Sequence, residues 1–555
     1  MGLATVLIAV ARKSFLFHQI GVALDHGYRV VLTADRTLMS NYGGGVFYGF
    51  LTTGPIRGFI PPSLLMTFVA RPVKRDRRGG ALLAPHGLRR IEAALIESGV
   101  VGEEELIVAR PEDLRSVIGT ETRVIGISAI DPLGKGPAST TFSGEYGVVH
   151  APSITTHFFR KLVTSDEVQQ ARRRGAFVVV GGPGAWQITE NDMRKLGIDI
   201  IVDGEGELLV PELFRQILEG NPPPTPTILR TRYDQVPSPE QIPRLRGGTV
   251  GGIVEVSRGC GRGCRFCSPT LRRLRHRPIE DILYDVKVNV HAGQTSIVLH
   301  AEDVLRYGVT SGYHVEHDKV VELVRRVAGT PGVEAVCFSH AALAPIAASP
   351  RTVEEISEIL NLGEDRFLGF QTGIETGSPR LIAKFMNKKP APFKAEEWPD
   401  VVEQAFGVCV DNYWVPCGTL IINLPGETAE DIIATIELLD RLKPYPGFIV
   451  PLLFVPYVNI PGYKAMRIRE DAAWYHWELF RKVFEYDFRW MSRIARMYTK
   501  KHNFLAKIFI RGLIWFLLHI AKPLVYRHID QRIAELKPQE VPTQITSETA
   551  AVAGA

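Results

Sequence analysis

The first 259 residues of this 555-residue chain contain no cysteine; the six present are Cys260, Cys264, Cys267, Cys337, Cys409 and Cys417. A secreted disulfide framework would be denser and more evenly spread, so the pattern points to a reducing compartment. Neither sign of charge dominates: 65 Lys+Arg against 60 Asp+Glu leave +5, too mild to indicate a nucleic-acid partner. With 45% hydrophobic and 23% charged residues the chain is neither disordered nor collagen-like. The N-terminus, Met1-Gly2-Leu3-Ala4-Thr5, has no basic stretch before its apolar run, and reads as a first buried strand rather than a signal peptide. A cytoplasmic location is expected. No repeat suggests a solenoid, and Asp35–Gly45, though rich in glycine, lacks the Gly-Lys-Ser/Thr of a phosphate loop.

What is present is an alternation of short Val/Ile-rich runs with amphipathic stretches, the pattern of parallel sheets. Over residues 1–220 the expected strands are Thr5–Val10, Val30–Thr33, Val124–Ser128, Ala176–Val180 and Ile198–Val202, with helices at Gly87–Ser98 and Phe158–Arg174. This predicts a doubly wound α/β domain, whose ligands bind at the carboxyl ends of the strands. Gly181-Gly182-Pro183-Gly184 and Asp203-Gly204-Glu205-Gly206-Glu207 sit at two such ends, and Asp131–Pro137 at a third. The proline-rich stretch 221–250 predicts a linker. Over 251–460 six further strand–helix units, from Gly252–Ser257 to Gly447–Phe454, predict a partial (β/α)6 barrel rather than a closed eightfold one. Residues 461–535 form an aromatic-rich, helical region, and 536–555 a disordered tail.

Cys260, Cys264 and Cys267 follow a predicted strand, with Gly259, Gly261 and Gly263 between and before them. Three thiolates this close hold one metal centre, and soft sulfur selects an Fe–S cluster or zinc. Structural zinc wants four protein ligands, and no further Cys or His pair at finger-like spacing follows. Three cysteines on a [4Fe–4S] cluster leave one iron open. The glycines let the backbone wrap the cluster and donate N–H groups to its sulfurs.

Cys-x-x-x-Cys-x-x-Cys with an aromatic, Phe266, before the last cysteine resembles the signature of the radical SAM family. The resemblance implies that the open iron is chelated by S-adenosylmethionine, whose reductive cleavage releases a 5′-deoxyadenosyl radical able to abstract hydrogen from unactivated carbon. It also implies a flavodoxin- or ferredoxin-type electron donor. Gly373-Ile374-Glu375-Thr376-Gly377-Ser378 ends a predicted barrel strand and is similar to the family's cofactor-contacting segment, with Glu375 on the ribose or amino group. Asn423-Leu424-Pro425-Gly426-Glu427-Thr428 resembles a Gly-x-Pro-Gly-Glu-Thr turn, with Asn423 in place of glycine; from the residues alone it is a turn with Thr428 as helix cap. Glu302, at the end of the second barrel strand, either lines the site or caps a helix. Cys337 and Cys409 read as core residues, and Cys417 as a residue able to face the pocket in a catalytic or relay role.

A doubly wound domain ahead of such a barrel resembles the cobalamin-binding class of the family, over roughly residues 1–460. Gly181, Gly182, Pro183, Gly204 and Glu205 match loops typical of those domains. The chain departs from the pattern in having no Asp-x-His-x-x-Gly, so no lower axial histidine is identifiable. The methylthiotransferases acting on tRNA also join an α/β domain to this barrel, but they carry a second cluster on N-terminal cysteines that this chain lacks.

Near the C-terminus the uncharged run between Arg511 and His519 is too short to cross about 30 Å of hydrocarbon. At about 100° per residue, Lys507, Arg511, His519 and Lys522 fall on one arc of an otherwise apolar helix. Residues 504–526 therefore suit either contact with the inner face of a membrane or packing across the barrel mouth. A surface contact would make a membrane lipid a plausible substrate, in a layout similar to archaeal tetraether ring-forming enzymes and hopanoid methyltransferases. The expectation is a cobalamin-dependent radical SAM enzyme performing methyl transfer or carbon–carbon bond formation. Its rivals are a radical SAM enzyme without cobalamin acting on a soluble metabolite, and a non-catalytic Fe–S protein.

Overall fold

A computed structural model describes residues 26–42, 51–57, 62, 66–67, 70–268, 273–456, 463–499 and 504–537. The expected strand at Thr5–Val10, the glycines at 43–45 and the tail beyond 537 lie outside the described residues.

The N-terminal half is one parallel sheet of β1 (Val30–Ala34), β2 (Leu106–Val108), β3 (Val124–Ser128), β4 (Phe177–Gly181), β5 (Ile200–Asp203) and β6 (Thr227–Arg230). Their order is β2-β1-β3-β4-β5-β6. All five residues of β1 are buried, as a strand covered on both faces requires. One apolar cluster, with Val30, Leu32 and Phe214, covers one face; a second, with Val31, Ile127 and Phe159, covers the other. The chain reverses its winding between β1 and β3, the topological switch point where such sheets bind ligands.

Two expectations are corrected here. Thr227–Arg230 falls in the proline-rich segment read as linker, yet it forms the edge strand of this sheet, pairing Ile200 with Thr227. Pro226 just precedes it, where a missing N–H costs no ladder bond. The helix expected over Phe158–Arg174 is two, Ile154–Val163 and Asp166–Arg173; Thr164 and Ser165 favour helix ends over interiors.

The second half is an arc of six parallel strands: β7 (Ile253–Glu255), β8 (Ser296–His300), β9 (Ala335–Phe338), β10 (Leu368–Glu375), β11 (Trp414–Ile422) and β12 (Phe448–Leu453). β7-β8-β9 and β10-β11-β12 are each continuous, and the His340–Gln371 bridge joins them into a partial barrel. The helices outside it include Ile279–His291, Pro379–Met386, Trp398–Asp411 and Ala429–Leu442.

The N-terminal half closes the open flank. Helix Pro137–Phe142 lies against β12, where Thr141 Oγ1 accepts the Leu453 N–H at 2.7 Å. Arg90, on the helix His86–Glu97, forms a buried ion pair with Asp285 of the first barrel helix at 2.6 Å. The C-terminal region is helical, with Trp474–Thr499, Phe504–Phe516, a π turn over Leu517–Ala521, and Lys522–Leu536. No helix among the described residues is long and apolar enough to cross a membrane.

Candidate active site

Beyond β7, Ser257–Arg258 pairs with Arg275–His276 as a short antiparallel ribbon, and the cysteine loop lies between them. Gly259, Gly261 and Gly263 all take left-handed φ angles of 75°, 70° and 68°, conformations that side chains resist. The three thiols are partly buried, and the loop is fixed by Arg265 N–H donating to the Phe385 carbonyl at 2.9 Å. Phe266 packs edge-on to Phe454 at the end of β12, 6.2 Å between centroids.

The surroundings suit an anionic cluster. Arg262, inside the loop and buried, pairs with Asp303 at 2.7 Å, while its Nε and Nη2 have no partner among the described residues. Arg306, whose guanidinium lies over Tyr313, likewise leaves Nε and Nη1 unpartnered. Cys260 lies within the electrostatic reach of both cations. Buried N–H groups without acceptors are costly unless something accepts from them, and thiolate and sulfide sulfurs are such acceptors. No three His, Cys, Asp or Glu side chains among the described residues are gathered tightly enough for a single metal ion.

Around the loop stand carboxylates and imidazoles at the strand ends. Glu302, after β8, accepts from Gly259 N–H; burial pushes its carboxyl up to about 7, and its Oε2 has no partner among the described residues. His300 and His340 both meet Ser339 Oγ through Nδ1 at 3.0 Å. Burial, followed by the neighbouring His300, lowers His340 to about 4, so it is neutral at ordinary pH.

Glu375, at the end of β10, has a left-handed φ of 66°. Its Oε1 pairs with Lys389 Nζ at 3.0 Å, and Thr419 Oγ1 donates to its Oε2 at 3.4 Å. A Cβ on Gly373 would lie 1.9 Å from Glu375 Oε1, so only glycine leaves the carboxylate where it is. Lys389 carries no motif in the sequence and was missed there. Asn423, φ 69°, ends β11; its N–H donates to Glu427 Oε1 at 2.8 Å. Asn423 lines an open cavity of about 390 Å³ with Glu427, Lys464, Asp471, Tyr475 and His476.

Three expected site residues turn out to be occupied elsewhere. Ser378 is buried, caps the next helix by accepting Leu381 N–H, and donates to Asp431 at 2.5 Å. Gly377 lets that turn approach the helix Ala429–Leu442, where a Cβ would sit 2.4 Å from the Ala434 carbonyl. Both shape the site without facing it. Glu205 is drawn across to the barrel: Arg258 Nη1 meets its Oε2 at 2.6 Å, and Arg275 also pairs with it. Glu207 and Glu255 complete a ring of three carboxylates around Arg258, two residues before the first cysteine.

In the N-terminal sheet, Gly182 (φ 96°) and Gly204 (φ 119°) keep their turns close to neighbours: a Cβ would lie 2.7 Å from the Ala129 carbonyl and 2.8 Å from Thr231 Cβ respectively. Gly181 ends β4 and Pro183 is exposed. The switch point itself is flanked by Asp35, after β1, and the Ala129–Gly136 loop, after β3. Asp35 is fully buried with Oδ2 unpartnered among the described residues, and burial raises its carboxyl to about 6. Ile130 and Leu208 are large apolar residues left exposed on loops at this edge.

Cys417 lies within β11, fully buried, with burial pushing its thiol far up and Asp487 adding to the effect. A thiol held neutral inside a strand is a core residue, which corrects the catalytic or relay expectation. Cys409 is buried in the same way.

Residues 254–439 match the family model of the Radical SAM superfamily. The chain is 28% identical over 307 residues to the tRNA-2-methylthio-N(6)-dimethylallyladenosine synthase of Magnetococcus marinus, covering 54% of this chain and 64% of that protein. The chain thus spans just under two thirds of that relative's length. It is 24% identical over 416 residues to an uncharacterized methyltransferase of Pyrococcus horikoshii, covering 65% of this chain and 83% of that one. The radical S-adenosylmethionine methyltransferase TsrM of Kitasatospora setae, solved with cobalamin and a [4Fe–4S] cluster, aligns with TM-score 0.49 and 15% identity over 77% of this chain and 75% of that one. Over residues 254–439 the barrel of this chain is a radical SAM domain, the kind that works with a [4Fe–4S] cluster and S-adenosylmethionine.

Proposed function

We propose that this protein is a cobalamin-dependent radical SAM enzyme that functionalises an unactivated carbon, by methyl transfer or carbon–carbon bond formation, with a membrane lipid as its substrate class. The observation that carries the radical SAM part is the cysteine loop. Three thiols wrapped by left-handed glycines lie beside Arg262 and Arg306, whose buried N–H groups have no acceptor among the described residues.

Cys260, Cys264 and Cys267 would hold the cluster, which supplies one-electron cleavage of S-adenosylmethionine when bound. This chain's own contribution is placement. Glu375, fixed by Lys389 and by Gly373, offers a carboxylate to the hydroxyls or ammonium of the nucleoside. Arg262 and Arg306 neutralise charge at the thiolates, and the part-buried His300–Ser339–His340 chain keeps the adjoining wall uncharged. A flavodoxin- or ferredoxin-type donor would supply the electron.

Cobalamin is supported by the fold. The switch point lies between β1 and β3, and the helix Pro137–Phe142 that follows β3 packs on the barrel edge; Ile130, in the loop after β3, presents apolar surface there to a flat macrocycle. None of the loops 35–42, 129–136, 181–189 and 203–208 contains histidine, so the macrocycle would bind without an axial imidazole from them.

The test is anaerobic reconstitution with iron, sulfide and hydroxocobalamin, then desalting and metal analysis. About one cobalt and about four irons per chain is the expected result. Iron without cobalt would leave a radical SAM enzyme without cobalamin. No 5′-deoxyadenosine or S-adenosylhomocysteine on reduction with S-adenosylmethionine, with the cluster intact, would reduce the protein to a non-catalytic Fe–S carrier.

A further inference from the structure

Between Asp487 and Asp530 the chain has 42 residues with nine Lys and Arg and no Asp or Glu. From within that stretch Phe504–Phe516, the π turn and Lys522–Leu536 run on as nearly continuous helix, whose acidic residues, Asp530 and Glu535, come only after it. One side is anchored: Ile529 is buried, Val525 and Ile533 pack against the barrel core, and Arg481 pairs with Asp530 at 3.0 Å. The other side is open. Ile508, Arg511, Gly512, Trp515, His519, Ile520, Leu524 and Arg527 are all exposed and follow one another at helical spacing. The apolar members are far from covered, with Trp515 at 58%, Ile508 at 53%, Leu524 at 51% and Ile520 at 43%.

The ridge differs from the basic stripe expected from the sequence. The π turn adds a residue to the winding, and Lys522 is turned inward over Phe488 and Tyr526. Arg511, His519 and Arg527 therefore share their face with the apolar side chains instead of standing opposite them.

We infer that this ridge docks the protein on an anionic lipid surface, lying in its plane. The chemistry of the ridge selects the partner. A second copy would bring the same cations against themselves. A nucleic acid would satisfy the cations but leave Ile508, Ile520 and Leu524 without apolar partners. An anionic bilayer meets both: aliphatic side chains enter the acyl boundary, the indole sits at headgroup level, and Arg511 and Arg527 reach the phosphates. The surface would bring the enzyme to its substrate if that is a lipid, but the inference stands on the ridge alone.

The experiment is co-sedimentation of the full-length reconstituted protein with vesicles of phosphatidylglycerol and phosphatidylcholine, against pure phosphatidylcholine. Binding to the anionic vesicles, weakened by salt, is expected. Trp515→Ala with Leu524→Ala should lower it about tenfold or more, and Arg511→Glu with Arg527→Glu should abolish the preference for anionic lipid. Both variants should cleave S-adenosylmethionine as the parent does, since these residues lie outside the site; circular dichroism verifies their fold. Absence of vesicle binding, or binding insensitive to both pairs, overturns the inference. So does tighter retention of tRNA than of vesicles, or a dimer in light scattering that Trp515→Ala with Leu524→Ala dissociates. Vesicle binding is read from the protein itself, so its failure is separate from a failure to cleave S-adenosylmethionine.

Discussion

Arg258 Nη1 lies 2.6 Å from Glu205 Oε2, so a loop of the N-terminal sheet is held to the residue two positions before the first cysteine. The same guanidinium meets Glu207, and Glu255 at 2.5 Å, all of them little exposed. Removing the cation leaves Glu207 and Glu255 without it in a poorly hydrated space, with Arg275 to balance Glu205 alone, whereas Glu205→Gln keeps an acceptor for Arg258 and Arg275 and leaves two carboxylates to balance Arg258. Arg258→Met should therefore cost about 3–5 kcal/mol, and Glu205→Gln about 1 kcal/mol, in denaturant unfolding. Comparable losses from the two would show that the ring does not act as a unit.

The cysteines divide into two groups. Cys264→Ala should lower bound iron and abolish deoxyadenosine formation after reconstitution. Cys417→Ala should leave both within about twofold and cost about 1–2 kcal/mol for the small cavity in β11. Loss of S-adenosylmethionine cleavage in Cys417→Ala with a full iron complement would restore a catalytic role to it.

Gly373→Ala puts a methyl group where Glu375 Oε1 now sits. Because the pair with Lys389 must then shift, affinity for S-adenosylmethionine should fall about tenfold or more, about 1.4 kcal/mol, with iron content unchanged. Equilibrium dialysis with the reconstituted protein measures this, and unchanged affinity would remove Glu375 from the cofactor site.

Asp35 gives a pH dependence of definite sign. Its carboxyl is raised to about 6 by burial, so folding favours the protonated form. The resulting stabilisation is complete below the unfolded pKa of about 4 and is lost as pH rises through about 6. Asp35→Asn retains an acceptor for the Thr37 N–H and hydroxyl and should be more stable than the parent at pH 7.5 by about 1–3 kcal/mol. That difference should shrink towards zero near pH 4. A constant difference across this range would show that Asp35 is not the titrating group.

Much of the fold was legible in the sequence. Ser296–His300 and Pro379–Met386 have the bounds their periodicity predicts, and the cysteine spacing singled out the loop in which the three left-handed glycines lie. What was not legible has physical reasons. Leu106–Val108 is only three residues and carries too short a pattern. Thr227–Arg230 was hidden by neighbouring prolines, which an edge strand tolerates. Arg262 and Lys389 matter through partners more than ten residues away, a relationship no local spacing expresses. Glu205 and Ser378 matched loops typical of cofactor sites, yet each had a nearer partner once folded. The C-terminal stripe failed because a regular 100° projection does not anticipate a π turn.

The joint between Thr141 and Leu453 has a consequence for how molecules enter. On that flank the wall of the barrel is a neighbouring domain rather than a seventh strand. The width of the opening there depends on how the two halves are seated, not on a fixed barrel radius.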